Sequence, residues 1–189
     1  MGMPATHPQR HWTADLLHAM PDDGLRYEII DGALFVTPSP TPAHQSAVLQ
    51  FAIRLDAYLR DSRVGYVWVA PGDVEFRSDT LVQPDVFVVP PTNGARPVSW
   101  RDAGRPLLVI EVVSPSTAAV DRVRKRALYQ REGVPEYWIA DLDARVIERW
   151  RPGDERPEIL SEAIRWEPAG AEQPLTIALP EFWTQVFGG

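Results

Sequence analysis

The sequence predicts an α/β fold: a single domain in which a mixed β-sheet is flanked by helices, with a β-hairpin near the N-terminus. Three observations predict it. Asp31-Gly32, a pair that favours the tight two-residue turns of hairpins, separates two largely apolar five-residue runs. Residues 107–113 form an apolar run broken only by Glu111, without the alternation of a half-exposed strand, so both faces should be covered. A helical stretch and a second apolar strand follow, the order that produces a parallel crossover.

Taken in order, residues 12–20 read as a short helix with Thr13 as N-cap, Leu16, Leu17 and Met20 on one side, and Pro21 ending it. The hairpin strands are 26–30 and 33–37. A proline-rich link, 38–42, leads into a helix over 42–60. Pro42 suits its first turn, and Val48, Phe51, Leu55 and Leu59 recur at helical spacing as a core stripe. Strands are expected at 66–70, 73–77 and 81–89, joined by turns at Pro71-Gly72 and Ser78-Asp79-Thr80. Residues 90–105 hold three prolines and two glycines and read as a surface loop. Then come the strand 107–113, the turn Ser114-Pro115-Ser116-Thr117, a helix over 117–132 closed by Gly133, and a strand at 136–140. Asp141-Leu142-Asp143 turns the chain into 145–151, and further strands precede a terminal helix at 180–187. No internal repeat or linker divides the 189 residues, a length suited to one well-cored domain.

Composition narrows the function classes. No segment offers the ~18 uninterrupted apolar residues of a membrane span, so no membrane partner is expected. Residues 1–11 lack the apolar stretch of a secretory leader, and there are no cysteines, which together fit a cytoplasmic protein. A net charge of −7 should repel nucleic acid over most of the surface. Binding to a phosphate backbone would need a local basic patch or a metal held between acid and phosphate. Of 19 basic residues only one, Lys125, is a lysine. Lysine is a compact point charge where arginine is a wide planar fork, so a site that needs the former cannot use the latter. The seven tryptophans suggest base stacking, but Trp68, Trp138, Trp150 and Trp183 lie in apolar strands or near the terminus and read as core.

The chemistry concentrates between Gln83 and Tyr129. A carboxylate buried in the strand around Glu111 must be protonated, paired with a cation or bound to a metal. A salt bridge to a core arginine would satisfy it equally well. Asp85 follows Pro84, which lacks an N–H and so places the acid at a strand start or an edge. A turn-capping role is its plainer alternative. With Glu111 it could share one Mg²⁺, an ion that takes one or two carboxylates, several waters and a substrate phosphate. Lys125 sits about two turns into its helix with Asp121 and Tyr129 on the same face. It either forms a solvated pair with Asp121 or stabilises charge developing on a phosphate. Arg122, Arg124 and Arg126 make the helix locally basic, and Arg124 and Tyr129 are its candidates for contact with a substrate backbone.

Pro84-Asp85, then Glu111-Val112-Val113, then a helical lysine resembles the PD-(D/E)XK nuclease signature with its lysine migrated, since Val113 holds the usual lysine position. The wider pattern runs through residues 26–32, Ser39-Pro40-Thr41-Pro42-Ala43-His44-Gln45, Gln83-Pro84-Asp85, residues 111–117 and residues 121–141. Over residues 12–150 it resembles the Uma-type (DUF820-like) restriction-endonuclease family; the family's usual acid after the hairpin glycine is Ala33 here. The resemblance implies a restriction-endonuclease-like fold and Mg²⁺-dependent hydrolysis of DNA phosphodiesters, with Mn²⁺ as a substitute ion. It makes Asp85 and Glu111 the metal ligands and Lys125 the charge-stabilising residue. Glu28 becomes an acid near the site that orients water or a second ion, and His44 is either a group within reach of phosphate or a surface or capping histidine. Alanine at 85, 111 or 125 is then expected to leave the fold intact and remove cleavage. Cutting both strands of a duplex suggests a homodimer. The alternatives are a catalytically silent domain of the same fold that binds nucleic acid or a protein, and a phosphohydrolase of small phosphoesters.

Overall fold

The computed structural model describes residues 11–21, 23–37, 39–113 and 118–188. In chain order its elements are α1 (Ala14–His18), β1 (Arg26–Ile30), β2 (Ala33–Thr37), α2 (Pro42–Ser62), β3 (Tyr66–Val69), β4 (Val74–Arg77), β5 (Thr80–Val82) and β6 (Val86–Val89). After a 3₁₀ turn at Trp100–Asp102 come β7 (Leu108–Val113), a π-helical segment (Val120–Lys125) running into α3 (Arg126–Arg131), and β8 (Glu136–Asp141). The chain ends with β9 (Val146–Trp150), β10 (Glu158–Leu160), β11 (Ala163–Trp166), β12 (Leu175–Ala178) and α4 (Leu179–Phe187). The expected turn at 114–117 lies outside the described residues.

The hairpin forms where Asp31-Gly32 predicts it. β1 pairs antiparallel with β2, and the two turn residues take φ of 51° and 76°. That left-handed pair matches the twist of the flanking strands, which is why short turns of this kind favour Asp-Gly. Gly32 has a second reason to lack a side chain, because a Cβ there would lie 2.2 Å from the His11 ring. Gly32→Ala is therefore expected to lower stability by more than about 1 kcal/mol, read as a drop in the thermal midpoint.

The hairpin is half of a larger antiparallel sheet of order β2-β1-β5-β4. A six-stranded sheet of order β10-β9-β8-β7-β6-β3 forms the centre. Its β7 and β8 run parallel while its other pairings are antiparallel, so it is mixed as expected. One expectation is corrected: residues 81–89 are not a single strand. β5 belongs to the small sheet and β6 to the large one, with the change of sheet at Gln83-Pro84-Asp85. Pro84 has no N–H to offer a ladder. On either side a side chain takes a backbone donor, for the Gln83 N–H goes to the Glu28 side chain at 2.8 Å and the Asp85 side chain takes the Val112 N–H at 2.9 Å.

Residues of β6 and β7 alternate between two cores. On one face Val86, Val88, Leu108, Ile110 and Val112 pack with the expected α2 stripe and with α4. Phe51 is fully buried there, its ring 4.4 Å from that of Phe182. On the other face Phe87, Val89, Val109 and Val113 pack with Leu128, Tyr129 and residues of the small sheet. Of the tryptophans read as core, Trp138, Trp150 and Trp183 are buried and Trp68 is half-buried against the core; Trp166 is buried too, whereas Trp100 is exposed. Among the described residues no helix is long and apolar enough to cross a membrane.

Candidate active site

The antiparallel register of β6 and β7 pairs Val86 with Ile110 and Phe87 with Val109. Continued by one residue, it sets Asp85 opposite Glu111. Both acids then fall on the face shared by Phe87 and Val109, towards the helix and the small sheet. From the small sheet β1 adds Glu28, and the π-helical segment adds Asp121 and Lys125. All five side chains are buried, with residue exposures of 3–4%. Polar groups so covered have to satisfy one another.

Lys125 is the hub. Its Nζ lies 2.9 Å from Glu28 Oε2, 2.9 Å from Glu111 Oε1 and 3.6 Å from Asp121 Oδ1. The Tyr129 hydroxyl donates to the same Glu111 oxygen at 3.1 Å, and the Tyr137 hydroxyl donates to the Asp121 carbonyl at 3.2 Å. Asp85 Oδ2 receives the Val112 N–H and lies 3.1 Å from His44 Nε2, while Arg26 Nη2 stands 3.6 Å from Oδ1. His44 gets there because Thr41 caps α2, accepting the His44 N–H at 3.2 Å and fixing the helix start beside the residue that precedes β6.

The electrostatics divide the two candidate metal ligands. Burial pushes the Asp85 carboxyl up, but the His44 contact, the nearby Lys125 charge and the Val112 N–H outweigh it and hold the group below its ordinary value. Glu111 goes the other way. Burial raises it, Lys125 opposes, and the neighbouring acids Asp85, Asp121 and Glu28 add to the rise, leaving it well above the usual carboxylate range. Burial pulls Lys125 down, yet Glu111, Glu28 and Asp121 more than reverse this, so the ammonium is held charged.

This donor set fits a hard divalent cation. Among the described residues four carboxylates gather around one ammonium and one guanidinium. Burial is the first cause of the elevation of Glu111, and the neighbouring acids add to it. Among the described residues no group of three or more His, Asp or Glu side chains is arranged to enclose an ion. Magnesium does not need such a cage, because it keeps several waters and uses one or two carboxylates with the substrate phosphate. Asp85 and Glu111, on one face of adjoining strands, are the residues that would hold such an ion.

The structure thus brings together Asp85, Glu111, Lys125, Glu28 and His44. The partner of Glu111 is Lys125 rather than a core arginine, and the Asp121–Lys125 pair is buried rather than solvated. Tyr129 is corrected: it is fully buried and hydrogen-bonds Glu111, so it orients an acid instead of facing a substrate. Arg124 stays outside the cluster, exposed, with its guanidinium 5.2 Å from the Phe35 ring centroid. Nor is the helix a uniformly basic surface, since Arg122 pairs with Asp141 and Glu148 and Arg126 lies over Trp150. The helix also departs from a regular α-helix by its π turns at Val120–Lys125, a feature found disproportionately at functional sites. Sequence reasoning missed Arg26 and gave Asp121 no role in the site. The signal for Arg26 was its spacing, because it stands two residues before Glu28 and therefore on the same face of β1.

A mixed sheet that gathers acids and a lysine between its central strands and an adjoining helix defines a protein of the restriction-endonuclease-like α/β class. Residues 14–186 match the Uma2 family, described as "Putative restriction endonuclease", and the chain belongs to that family. Its fold is similar to a solved structure described as "a putative nuclease belonging to DUF820 from Anabaena variabilis", with a TM-score of 0.76 and 19% identity over 92% of this chain and 98% of the other. No curated protein matches the chain.

Proposed function

We propose that this protein is a Mg²⁺-dependent endonuclease that hydrolyses phosphodiester bonds in DNA. The observation that carries the reading is the buried cluster in which carboxylates outnumber cations around Asp85 and Glu111. Family membership supports the class of reaction. Asp85 and Glu111 would hold the ion, which supplies Lewis-acid activation of a phosphoryl oxygen and of water. The Val112 N–H and His44 keep Asp85 ionised and aimed, and Tyr129 fixes Glu111. Glu28 holds the Lys125 ammonium in place, where its charge stabilises negative charge growing on the phosphate. Such fixed charges act most strongly where water is excluded. A homodimer, which would present two such sites to a duplex, is part of this proposal, and sedimentation tests it.

Calorimetric titration with Mg²⁺ or Mn²⁺ is the direct test. Wild type is expected to bind, and Asp85→Asn to bind on the order of 10–100-fold more weakly. Plasmid DNA incubated with either ion should be cut by wild type alone. One observation favours a second reading, a catalytically silent domain: Lys125 already contacts three acids, as a purely structural charge core would require. Absence of metal binding and of cleavage in wild type would select it. Cleavage of small phosphoesters but not DNA would point to a phosphohydrolase instead.

A further inference from the structure

Arg26 has no part in the mechanism above, yet it stands at the site with its hydrogen-bonding capacity largely unspent. It opens β1, and Glu28, two residues on, reaches Lys125 from the same strand face. Its Nη2 is 3.6 Å from Asp85 Oδ1, beyond hydrogen-bonding distance, so the guanidinium attends the acid without donating to it. Its Nε is buried and has no hydrogen-bond partner among the described residues. Across Asp85, His44 Nδ1 is in the same condition. Two buried nitrogens left open beside one carboxylate are costly, and such groups call for a polar partner.

Exposure indicates where that partner comes from. The side chains of Glu28, Asp85, Glu111 and Lys125 are 4–5% exposed and that of His44 is 13% exposed, whereas Arg26 is 26% exposed. Arg26 therefore joins the buried cluster to solvent. A polyanion approaching an otherwise acidic protein meets this guanidinium before it meets the carboxylates. Arginine presents five N–H donors in a planar fork that matches a phosphate.

We propose that Arg26 binds a backbone phosphate of the nucleic acid at the mouth of the site, so that its guanidinium hydrogen-bonds the phosphate while remaining beside Asp85. The inference rests on the nuclease reading and names a substrate-contacting residue within it. Arg26 is then what lets a chain of net charge −7 bring a phosphate up to a cluster of acids.

The test is duplex binding by fluorescence anisotropy across a salt series, in a Glu111→Gln background so that the DNA survives the titration. Adding Arg26→Gln is expected to weaken binding about ten- to a hundredfold and to reduce the slope of log K against log salt by about one. Adding Arg26→Lys instead should restore most of the slope, because it keeps the charge. Thermal melts of each variant establish that the fold is retained. If Arg26→Gln leaves affinity and salt slope unchanged while the parent still binds DNA, the Arg26 assignment is overturned and the nuclease reading stands. If the Glu111→Gln parent does not bind and wild type neither binds nor cuts DNA, the nuclease reading fails and the phosphate contact fails with it.

Discussion

Glu111→Gln should reduce DNA cleavage by at least about a hundred- to a thousandfold while leaving the thermal midpoint equal to or above that of wild type. The amide keeps an oxygen where Glu111 Oε1 now receives the Lys125 ammonium and the Tyr129 hydroxyl. What it removes is one carboxylate from a buried group rich in acids, where burial first and the neighbouring acids next raise Glu111 well above its ordinary range. A residue kept only for packing or pairing would behave differently, since its replacement would lower stability and leave activity in proportion to the folded fraction. The expected separation of the two readouts is thus specific to an acid retained for chemistry at a cost in stability. Full cleavage by a well-folded Glu111→Gln protein would refute its role as a metal ligand.

Lys125→Ala should destabilise the protein by about 3–5 kcal/mol, measured by urea denaturation. The sequence alone suggested that this substitution would leave the fold intact, but the tertiary environment argues the opposite. Lys125 touches Glu28, Glu111 and Asp121, and without it three buried acids lose their shared counter-ion. Lys125→Met, which keeps most of the volume, should lose nearly as much if charge rather than packing is responsible. Adding Glu111→Gln to Lys125→Met should recover part of the loss, because one of the stranded acids is then neutral. The pH dependence has a definite sign. Despite burial the three acids raise the folded pKa of Lys125, so its contribution is complete below the unfolded lysine value of about 10.4. It disappears as pH rises through the higher folded value. Additivity of Lys125→Met and Glu111→Gln would show that the two side chains are not energetically coupled.

Much of the architecture was legible in residue order, because it follows from short-range rules. Asp-Gly between two strand-forming runs specified the hairpin, and both residues adopt the left-handed conformation that this turn demands. The apolar positions Val48, Phe51, Leu55 and Leu59 recur at helical spacing and are buried together. Glu111, in a run with no polar alternation, announced a buried charge, and the chain's single lysine supplied its partner. What spacing could not show was which strand joins which sheet. The stretch from Leu81 to Val89 reads as one strand, yet it passes from one sheet to another at Pro84, where side chains of Glu28 and Asp85 accept backbone N–H groups.

By itself the sequence determined most of the strands and helices and the family, and it singled out two acids and a lysine that folding brings together. The tertiary structure alone decided that Tyr129 faces Glu111, that Arg122 is drawn away to Asp141 and Glu148, that Lys125 balances three acids, and that Arg26 stands open beside Asp85. The physical reason is range. Periodicity, capping and turn preference act between residues a few positions apart, whereas the protonation and partners of a buried charge depend on every group that folding brings within a few ångströms of it.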